Sequence, residues 1–236
     1  MNDRVNELSD LNGRTGWPFF FEGQLPHLLL TLLLVPGVLC LADSSLTGQM
    51  YGGLTDRQWT VMLVAVVTLH QWMVWLIWRL QICFGGLSRL LGQADLVVWA
   101  LLFFPFLAAR IVLLGIVGLS NGGSLGLPLT LALVAGGLMA LPALFTLWSV
   151  HRYFGWIRAL GGDHFRARYW QLPLVKEGIF RYSPNAMYTF GFLMTWAIAL
   201  WLDSRVALLM ALFQHAYIWV HYYCTEKPDL DVLYGG

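Results

Sequence analysis

The chain has 236 residues, of which 58% are hydrophobic and only 11% are charged, and its net charge is +1. Because soluble domains carry about 25% charged residues, this composition excludes a water-soluble fold and predicts an integral membrane protein. The small net charge provides no bulk attraction to nucleic acid, so no nucleic-acid partner is expected. The three cysteines are far apart and form no CxxC pair, which indicates neither a disulfide framework nor a metal site.

Six segments are apolar over about the 20 residues that a membrane-spanning helix needs. In chain order they are Leu25–Ala42, Gln58–Cys83, Ala94–Leu119, Gly126–Val150, Ala186–Leu202 and Val206–Tyr223. They predict an all-α transmembrane bundle with about six spans, or about five if the short first or fifth segment does not cross. The polar start of the chain has no signal-peptide pattern, so the first segment is expected to remain as an anchor.

Lysine and arginine are distributed unequally between the two sides of this predicted bundle. With six spans, eleven basic residues fall on the side of both termini, two (Arg57 and Arg205) fall on the other side, and Arg110 lies inside the third span. Because cytoplasmic loops are rich in basic residues, both termini are predicted to be cytoplasmic, in an inner membrane or an endomembrane. The chain then divides into a tail (1–24), a four-span region (25–150) and a C-terminal region (151–236).

Several basic side chains are candidates for holding a lipid. The long loop 151–185 is rich in arginine and aromatic residues, and its basic groups are expected either to meet anionic lipid in bulk or to hold the phosphate of a bound lipid. Arg110 is expected either to bind a lipid phosphate or to pair with a neighbouring helix. The predicted lipid-binding residues are Arg110, Arg158, His164 and Arg168, with Arg166 beside them.

Two polar clusters, residues 178–191 and 221–235, flank the last two predicted spans. A tight turn at 203–205 makes these spans a hairpin, so both clusters are predicted to lie at its cytoplasmic mouth. Backbone N–H groups at a helix start suit a carboxylate, Glu226 suits ribose hydroxyls or an amino group, and the rings of Tyr182 and Tyr188 suit a sulfonium or an adenine. Taken singly, these residues fit capping, packing and solvated tail charges at least as well.

The two clusters resemble the pattern of the membrane-embedded methyltransferases that include phospholipid N-methyltransferases and isoprenylcysteine carboxyl methyltransferases. The matching residues are Leu174, Val175, Gly178, Phe180, Arg181, Tyr182, Asn185, Tyr188, Gly191, Glu226, Asp229, Leu230, Tyr234 and Gly235. The resemblance covers roughly residues 150–235 and is closer to the phospholipid branch. It has two departures: Pro184-Asn185-Ala186 lacks the core arginine of the family and displaces its proline, and Lys227 replaces the second glutamate of a Glu-Glu pair.

The resemblance implies that the C-terminal region binds S-adenosylmethionine and methylates a membrane lipid, first of all the amine of phosphatidylethanolamine or of a methylated derivative. The implied cofactor-binding residues are Leu174, Val175 and Gly178 near the adenine, Asn185 and Tyr188 near the methionine part, Glu226 on a polar group of the donor, and Arg181, Tyr182 and Gly191. A lipid amine must lose its proton before it attacks, which requires a base or a solvent path. The candidate bases are His215, His221 and Asp229.

Other readings of the same residues stay open. A thiol, an isoprenoid carboxylate or another amine is an alternative acceptor for the same site, and the altered core allows a member that binds the donor weakly or not at all. An NADPH-dependent sterol reductase is disfavoured by the short chain. A transporter or a membrane scaffold is the non-enzymatic alternative, but the polar groups gather at one edge and no internal repeat is present, unlike in many transporters.

Overall fold

The computed structural model describes residues 16–170 and 172–235, and these form a helical bundle. Its α-helices are α1 (Trp17–Phe20), α2 (Gln24–Asp43), α3 (Asp56–Phe84), α4 (Gly86–Leu91), α5 (Asp95–Ser120), α6 (Leu129–Ser149), α7 (Trp156–Ala159), α8 (Leu193–Trp201), α9 (Arg205–His221) and α10 (Lys227–Leu233). Two short strands, β1 (Met50–Tyr51) and β2 (Leu54–Thr55), pair in an antiparallel hairpin before α3. Turns of π-helix follow α6 (Val150–Phe154), precede α8 (Met187–Gly191) and follow α9 (Tyr222–Glu226), and 3-10 turns occur at Gly92–Ala94, Gly162–His164, Ala167–Tyr169 and Gly178–Arg181.

Four helical stretches are long and apolar enough to cross a membrane, namely Trp17–Asp43, Asp56–Phe84, Gly86–Ser120 and Leu129–Phe154. They correspond to the first four predicted spans, so the chain is an integral membrane protein. The fifth predicted span forms a shorter apolar helix, Met187–Trp201, and the sixth forms α9 with its π-helical extension. The total of about six spans and the cytoplasmic placement of the termini stay predictions.

The predicted N-terminal tail is partly helical. Residues 17–20 form α1, which precedes α2 directly, so the helical part of the chain begins earlier than the tail 1–24 predicts. Arg4 and Arg14, two of the eleven residues in the basic count, lie outside the described residues.

Local signals explain where the longest helix begins and ends. At the start of α3, the side chain of Thr55 accepts from Gln58 N–H and the side chain of Gln58 accepts from Thr55 N–H, at 3.3 and 2.9 Å. This capping box satisfies donors that a helix start otherwise leaves unpaired. The helix ends at Gly85, whose φ of 59° is the left-handed conformation that favours glycine.

A polar cluster joins the helices at one end of the bundle. The carboxylate of Asp56 accepts from Thr47 N–H at 2.6 Å and from Asn121 Nδ2 at 3.2 Å. Asn121 Oδ1 in turn accepts from Ser204 Oγ at 3.1 Å. These bonds hold together the start of α3, the residue after α5 and the residue before α9.

The long loop 151–185 packs across the other end of the bundle. Trp99 Nε1 on α5 donates to Leu160 O at 2.7 Å, and Arg166 Nη1 donates to the Asp95 carboxylate at 2.8 Å. The loop is therefore folded onto the helix ends, and the interpretation of its basic residues as a free membrane-surface segment is corrected for those that these contacts bury. Arg168, by contrast, is exposed.

Candidate functional site

The two polar clusters meet through Tyr188 and Glu226. Tyr188 lies in the π-helical turn Met187–Gly191, and Glu226 ends the π-helical turn Tyr222–Glu226. The Tyr188 hydroxyl donates a hydrogen bond to Glu226 Oε2. Single π-helical turns often occur at functional sites. Tyr188 and Glu226 thus both lie in π-helical turns that adjoin α-helices.

Two aromatic residues that the sequence analysis missed complete this contact. The ring centroids of Trp219 and Tyr222 lie 6.1 and 5.8 Å from that of Tyr188. Together the three rings form a π-rich surface beside the Glu226 carboxylate, an arrangement that favours a cationic group. The density of aromatic residues near the end of α9 is the sequence signal that could have identified them.

A cavity of about 390 Å³ extends from Tyr188 into the bundle between α3, α5, α6, α8 and α9. Its volume falls in the range of about 300–1,000 Å³ that is typical of small-molecule sites. The walls are mostly apolar, and the polar groups among them include His70, Gln71, Arg110, Tyr188, Gln214 and His221. Leu107, Ile111 and Leu147 of the wall are also exposed on the outer surface of the bundle. The cavity therefore borders the surface that faces lipid.

The predicted bases have different surroundings. His221 lines the cavity, and its Nδ1 has no hydrogen-bond partner among the described residues. His215 Nδ1 accepts from Trp196 Nε1 at 3.1 Å, and His215 is not part of the cavity wall. Asp229 is fully buried in an ion pair with Arg79, with 2.6 Å between Oδ1 and Nε. Of the three, only His221 faces the cavity.

The loop residues that the resemblance assigns to the donor lie outside the cavity wall. Leu174 and Tyr182 are 69% and 72% exposed. Gly178 has a φ of 59°, and a Cβ atom there would lie 2.5 Å from the hydroxyl oxygen of the last residue of α6, so this glycine allows close packing. Neither Val175 nor Arg181 lines the cavity.

Other residues of the same prediction do reach the site. Gly191 lines the cavity together with Tyr188. Asn185 begins the helical turn that carries Tyr188, because its carbonyl accepts from the N–H groups of Tyr188 and Thr189 at 3.0 Å each. The structure thus brings Asn185, Tyr188, Gly191 and Glu226 together and places the residues of 174–182 elsewhere.

A buried ionic network that the sequence analysis did not identify lies beside this site. His164 is only 1% exposed, its Nδ1 lies 2.9 Å from Asp163 Oδ1 and its Nε2 lies 3.2 Å from Asp229 Oδ2. Arg79, also fully buried, completes the network through its ion pair with Asp229. Two cations therefore balance two carboxylates, and the network connects α3, the loop and α10.

The predicted lipid-binding residues of the loop make contacts within the protein. Both ring nitrogens of His164 face carboxylates, so its assignment to a lipid phosphate is corrected. Arg158 is 8% exposed and donates to Pro173 O at 3.2 Å. Arg168 is exposed, and its Nη2 donates to Tyr169 Oη at 2.9 Å, away from the cavity.

The charges of the network keep His164 protonated at neutral pH. Burial alone would lower the pKa of His164, but Asp163 and Asp229 raise it to about 9. A histidine with a pKa raised by folding stabilises the fold fully below its unfolded pKa, and the contribution is lost as the pH rises through the folded pKa.

We therefore expect stability to fall between pH 6.5, the ordinary pKa of histidine, and about 9. A shift of this size corresponds to about 3 kcal/mol. The apparent melting temperature of the wild-type protein should decline over this range more steeply than that of the His164→Gln variant. Parallel declines in the two proteins would contradict the assignment of a protonated His164.

Glu226 also has a perturbed acidity. Burial raises the pKa of its carboxyl group to about 7, although the hydrogen bond from Tyr188 acts in the opposite direction. A carboxyl group with this pKa exchanges protons readily near neutral pH.

Among residues 16–170 and 172–235, no group of three His, Cys, Asp or Glu side chains is arranged to hold a metal ion.

Comparison with known proteins agrees with the sequence resemblance. A family model described as phospholipid methyltransferase matches residues 131–236. The phosphatidylethanolamine N-methyltransferases of Candida tropicalis and Clavispora lusitaniae are 30% identical over 112 residues and 28% identical over 109 residues, and each match covers 45% of this chain. That of Candida dubliniensis is 32% identical over 97 residues, or 39% of this chain.

These matches cover only 12%, 12% and 11% of the lengths of the three relatives, so the chain spans a small part of each of them. No solved structure matches the chain. The family match includes most of α6, the loop, Tyr188 and Glu226. Of these, α6, the loop and Tyr188 contribute to the cavity wall, and Glu226 contacts Tyr188. The similarity to phospholipid methyltransferases is therefore confined to residues 131–236 of this chain.

Proposed function

We propose that this protein transfers a methyl group from S-adenosylmethionine to the amine of a membrane phospholipid, namely phosphatidylethanolamine or a methylated derivative. The observation that carries this proposal is the contact with Glu226 of Tyr188, which lines a cavity that borders the lipid-facing surface. The family match and the names of the three relatives support the choice of reaction and acceptor.

The residues around Tyr188 fit a sulfonium-bearing donor. Glu226 supplies a carboxylate for ribose hydroxyls or an amino group, and Tyr188, Trp219 and Tyr222 supply aromatic rings for the cation. Gly191 has no side chain and leaves space in the wall beside Tyr188. When bound, the donor supplies an electrophilic methyl group.

The protein must orient the acceptor amine and remove its proton. His221 is a candidate base because it lines the cavity and its Nδ1 has no hydrogen-bond partner within the described ranges. Glu226 is a second candidate, since its pKa of about 7 allows it to take up a proton near neutral pH. Asp229 is assigned to the ionic network instead, because both of its oxygens face buried cations.

The apolar walls contribute by excluding water and by fixing the approach of the two reactants. Holding a nucleophile in line with its target can supply a large part of the barrier reduction, and a dry site protects the methyl group from attack by water. We further propose that the mouth of the cavity faces the cytoplasm, where the basic residues of the chain are concentrated. This placement agrees with six spans and cytoplasmic termini.

The proposal is tested by titrating the detergent-purified protein calorimetrically with S-adenosylmethionine and, separately, with S-adenosylhomocysteine. We expect saturable binding in the micromolar range, followed by transfer of labelled methyl groups to phosphatidylethanolamine in mixed micelles. Absence of binding of both compounds, in protein that shows a cooperative melting transition, would overturn the methyltransferase assignment and favour a transporter or scaffold. Binding without transfer to this lipid would redirect the search to another acceptor.

A further inference from the structure

Arg110 carries a buried charge without a carboxylate partner. Its residue is 3% exposed, and among residues 16–170 and 172–235 no acidic side chain forms an ion pair with it. Its contacts are neutral: Nε donates to Gln214 Oε1 at 3.1 Å, and Nη1 lies 3.5 Å from His70 Nδ1. An uncompensated charge in a membrane-spanning helix is costly, and such residues usually mark a functional site.

The groups around Arg110 also have unused hydrogen-bonding capacity. Within the described part of the chain, one nitrogen of each of six cavity residues makes no hydrogen bond, namely Arg110 Nη2, Gln214 Nε2, Gln71 Nε2, His70 Nε2, His221 Nδ1 and Trp78 Nε1. Buried polar groups are normally paired, so this many unpaired nitrogens around one cavity call for a ligand with several acceptor oxygens. The amides and the guanidinium can only donate from these atoms.

We infer that the Arg110 cluster binds the phosphodiester group of the acceptor lipid inside the cavity. A guanidinium matches phosphate oxygens in a bidentate manner, and the amide donors of Gln71 and Gln214 lie on the same cavity wall. This inference rests on the proposed function, because it assigns a position in the cavity to the phospholipid that accepts the methyl group. It adds a site for the anionic part of the lipid to the site for its amine.

The shape of the cavity supports a lipid rather than a soluble anion. Arg110 lies about 22 Å along α5 from Asp95, at 1.5 Å per residue, so it is far from the end of α5 that the loop covers. The wall between this arginine and the outer surface is apolar and includes Leu107 and Ile111. A phospholipid can leave its acyl chains in the bilayer beside this wall while its phosphate lies below the membrane surface against Arg110.

This placement orients the amine. Arg110, His221 and Tyr188 line the same cavity, so the short ethanolamine arm of a lipid held there by its phosphate can extend toward the proposed donor. His221, whose Nδ1 has no hydrogen-bond partner among the described residues, lines this cavity too. The phosphate site thus positions the nucleophile beside a candidate base.

The inference is tested by lipid binding to the full chain in a neutral detergent, with fluorescent phosphatidylethanolamine and with fluorescent diacylglycerol that has the same acyl chains. In the wild-type protein, we expect the phospholipid to bind at least about tenfold more tightly, the effect of one charge-assisted contact of about 1.5–3 kcal/mol. The Arg110→Met variant should lose this preference. Arg205→Met, a change in an exposed arginine at the start of α9, should keep it.

Titration with S-adenosylhomocysteine separates this inference from the proposed function. If Arg110→Met keeps its affinity for the nucleoside and loses only phospholipid preference, the phosphate site is supported. If the wild-type protein does not distinguish the two lipids, the site is overturned whether or not the variant folds. Loss of nucleoside affinity with unchanged lipid preference would overturn it too, because the anion would then be the carboxylate of the donor. Competition by inorganic phosphate alone would show an adventitious anion site.

Discussion

Replacing Asp229 with asparagine should destabilise the protein by about 3–5 kcal/mol, the cost of leaving buried charges without their partner. Asp229 is fully buried, with Oδ1 2.6 Å from Arg79 Nε and Oδ2 3.2 Å from His164 Nε2. The neutral amide would face two cations that have no access to water. We expect a lower apparent melting temperature in detergent and a smaller folded fraction after purification.

The same helix provides the control for this prediction. Lys227 and Asp231 form an exposed ion pair at 3.3 Å, with side chains that are 52% and 53% exposed. Exposed pairs of this kind contribute between zero and about 1 kcal/mol, so Asp231→Asn should melt close to the wild-type temperature. Equal shifts in the two variants would show that α10 is not held by the buried network.

A double variant distinguishes the network from a simple packing effect. In Arg79→Met combined with Asp229→Leu, both members of the ion pair are replaced by apolar groups, and replacement of a whole buried pair is often tolerated far better than the loss of one partner. The double variant should therefore melt above Asp229→Asn. Strict additivity of the two single changes would contradict a direct ion pair, since residues in contact normally couple.

The helices were predictable because their signal is local. The segment Gln58–Cys83 corresponds to a helix at Asp56–Phe84, and Ala94–Leu119 corresponds to Asp95–Ser120. An apolar run of spanning length defines each helix, and the residues that end it are polar or glycine. Helix α9 is the limit of this approach: it has only 17 residues, Gln214, His215 and His221 interrupt its apolar run, and it is not among the four stretches that are long and apolar enough to cross a membrane.

The ionic network was not predictable because its partners are far apart in sequence. His164 and Asp229 are separated by 65 positions, and Arg166 and Asp95 by 71. Composition gives only a basic, aromatic loop, for which contact with lipid head groups is a reasonable expectation. Pairing with buried carboxylates depends on how the loop folds over the helix ends, which no local pattern specifies.

The candidate site was partly predictable from the sequence, less so than the helices and more so than the ionic network. The hairpin of the last two predicted spans correctly places residues 178–191 and 221–235 at one end of the bundle, and Tyr188 contacts Glu226 there. Leu174, Val175 and Gly178 were assigned to the donor by resemblance alone, and they lie on the loop outside the cavity wall. The departure at Pro184-Asn185-Ala186 preserves the helix start, since Asn185 still accepts from the backbone of Tyr188 and Thr189.

Removing the Tyr188 hydroxyl or the Glu226 carboxylate should strongly weaken the binding of S-adenosylhomocysteine. A hydrogen bond to a charged group contributes about 1.5–3 kcal/mol, so Tyr188→Phe is expected to weaken binding at least about tenfold, and Glu226→Ala to weaken it further because the polar contact to the donor is lost as well. Calorimetric titration of each purified variant measures these changes directly.

Tyr182→Phe is the matched control, because this tyrosine is 72% exposed and lies outside the cavity wall, although the family pattern includes it. The variant should bind the nucleoside as tightly as the wild-type protein. A loss of affinity in Tyr182→Phe together with retained affinity in Tyr188→Phe would move the donor site to the loop.

The Glu226→Gln variant separates binding from folding. Because burial raises the pKa of Glu226 to about 7, the fold favours the neutral form of this side chain. A neutral glutamine should therefore not lower the melting temperature at pH 8. A stable Glu226→Gln protein that no longer binds the nucleoside would therefore identify this carboxylate as a ligand of the donor and not as a support of the fold.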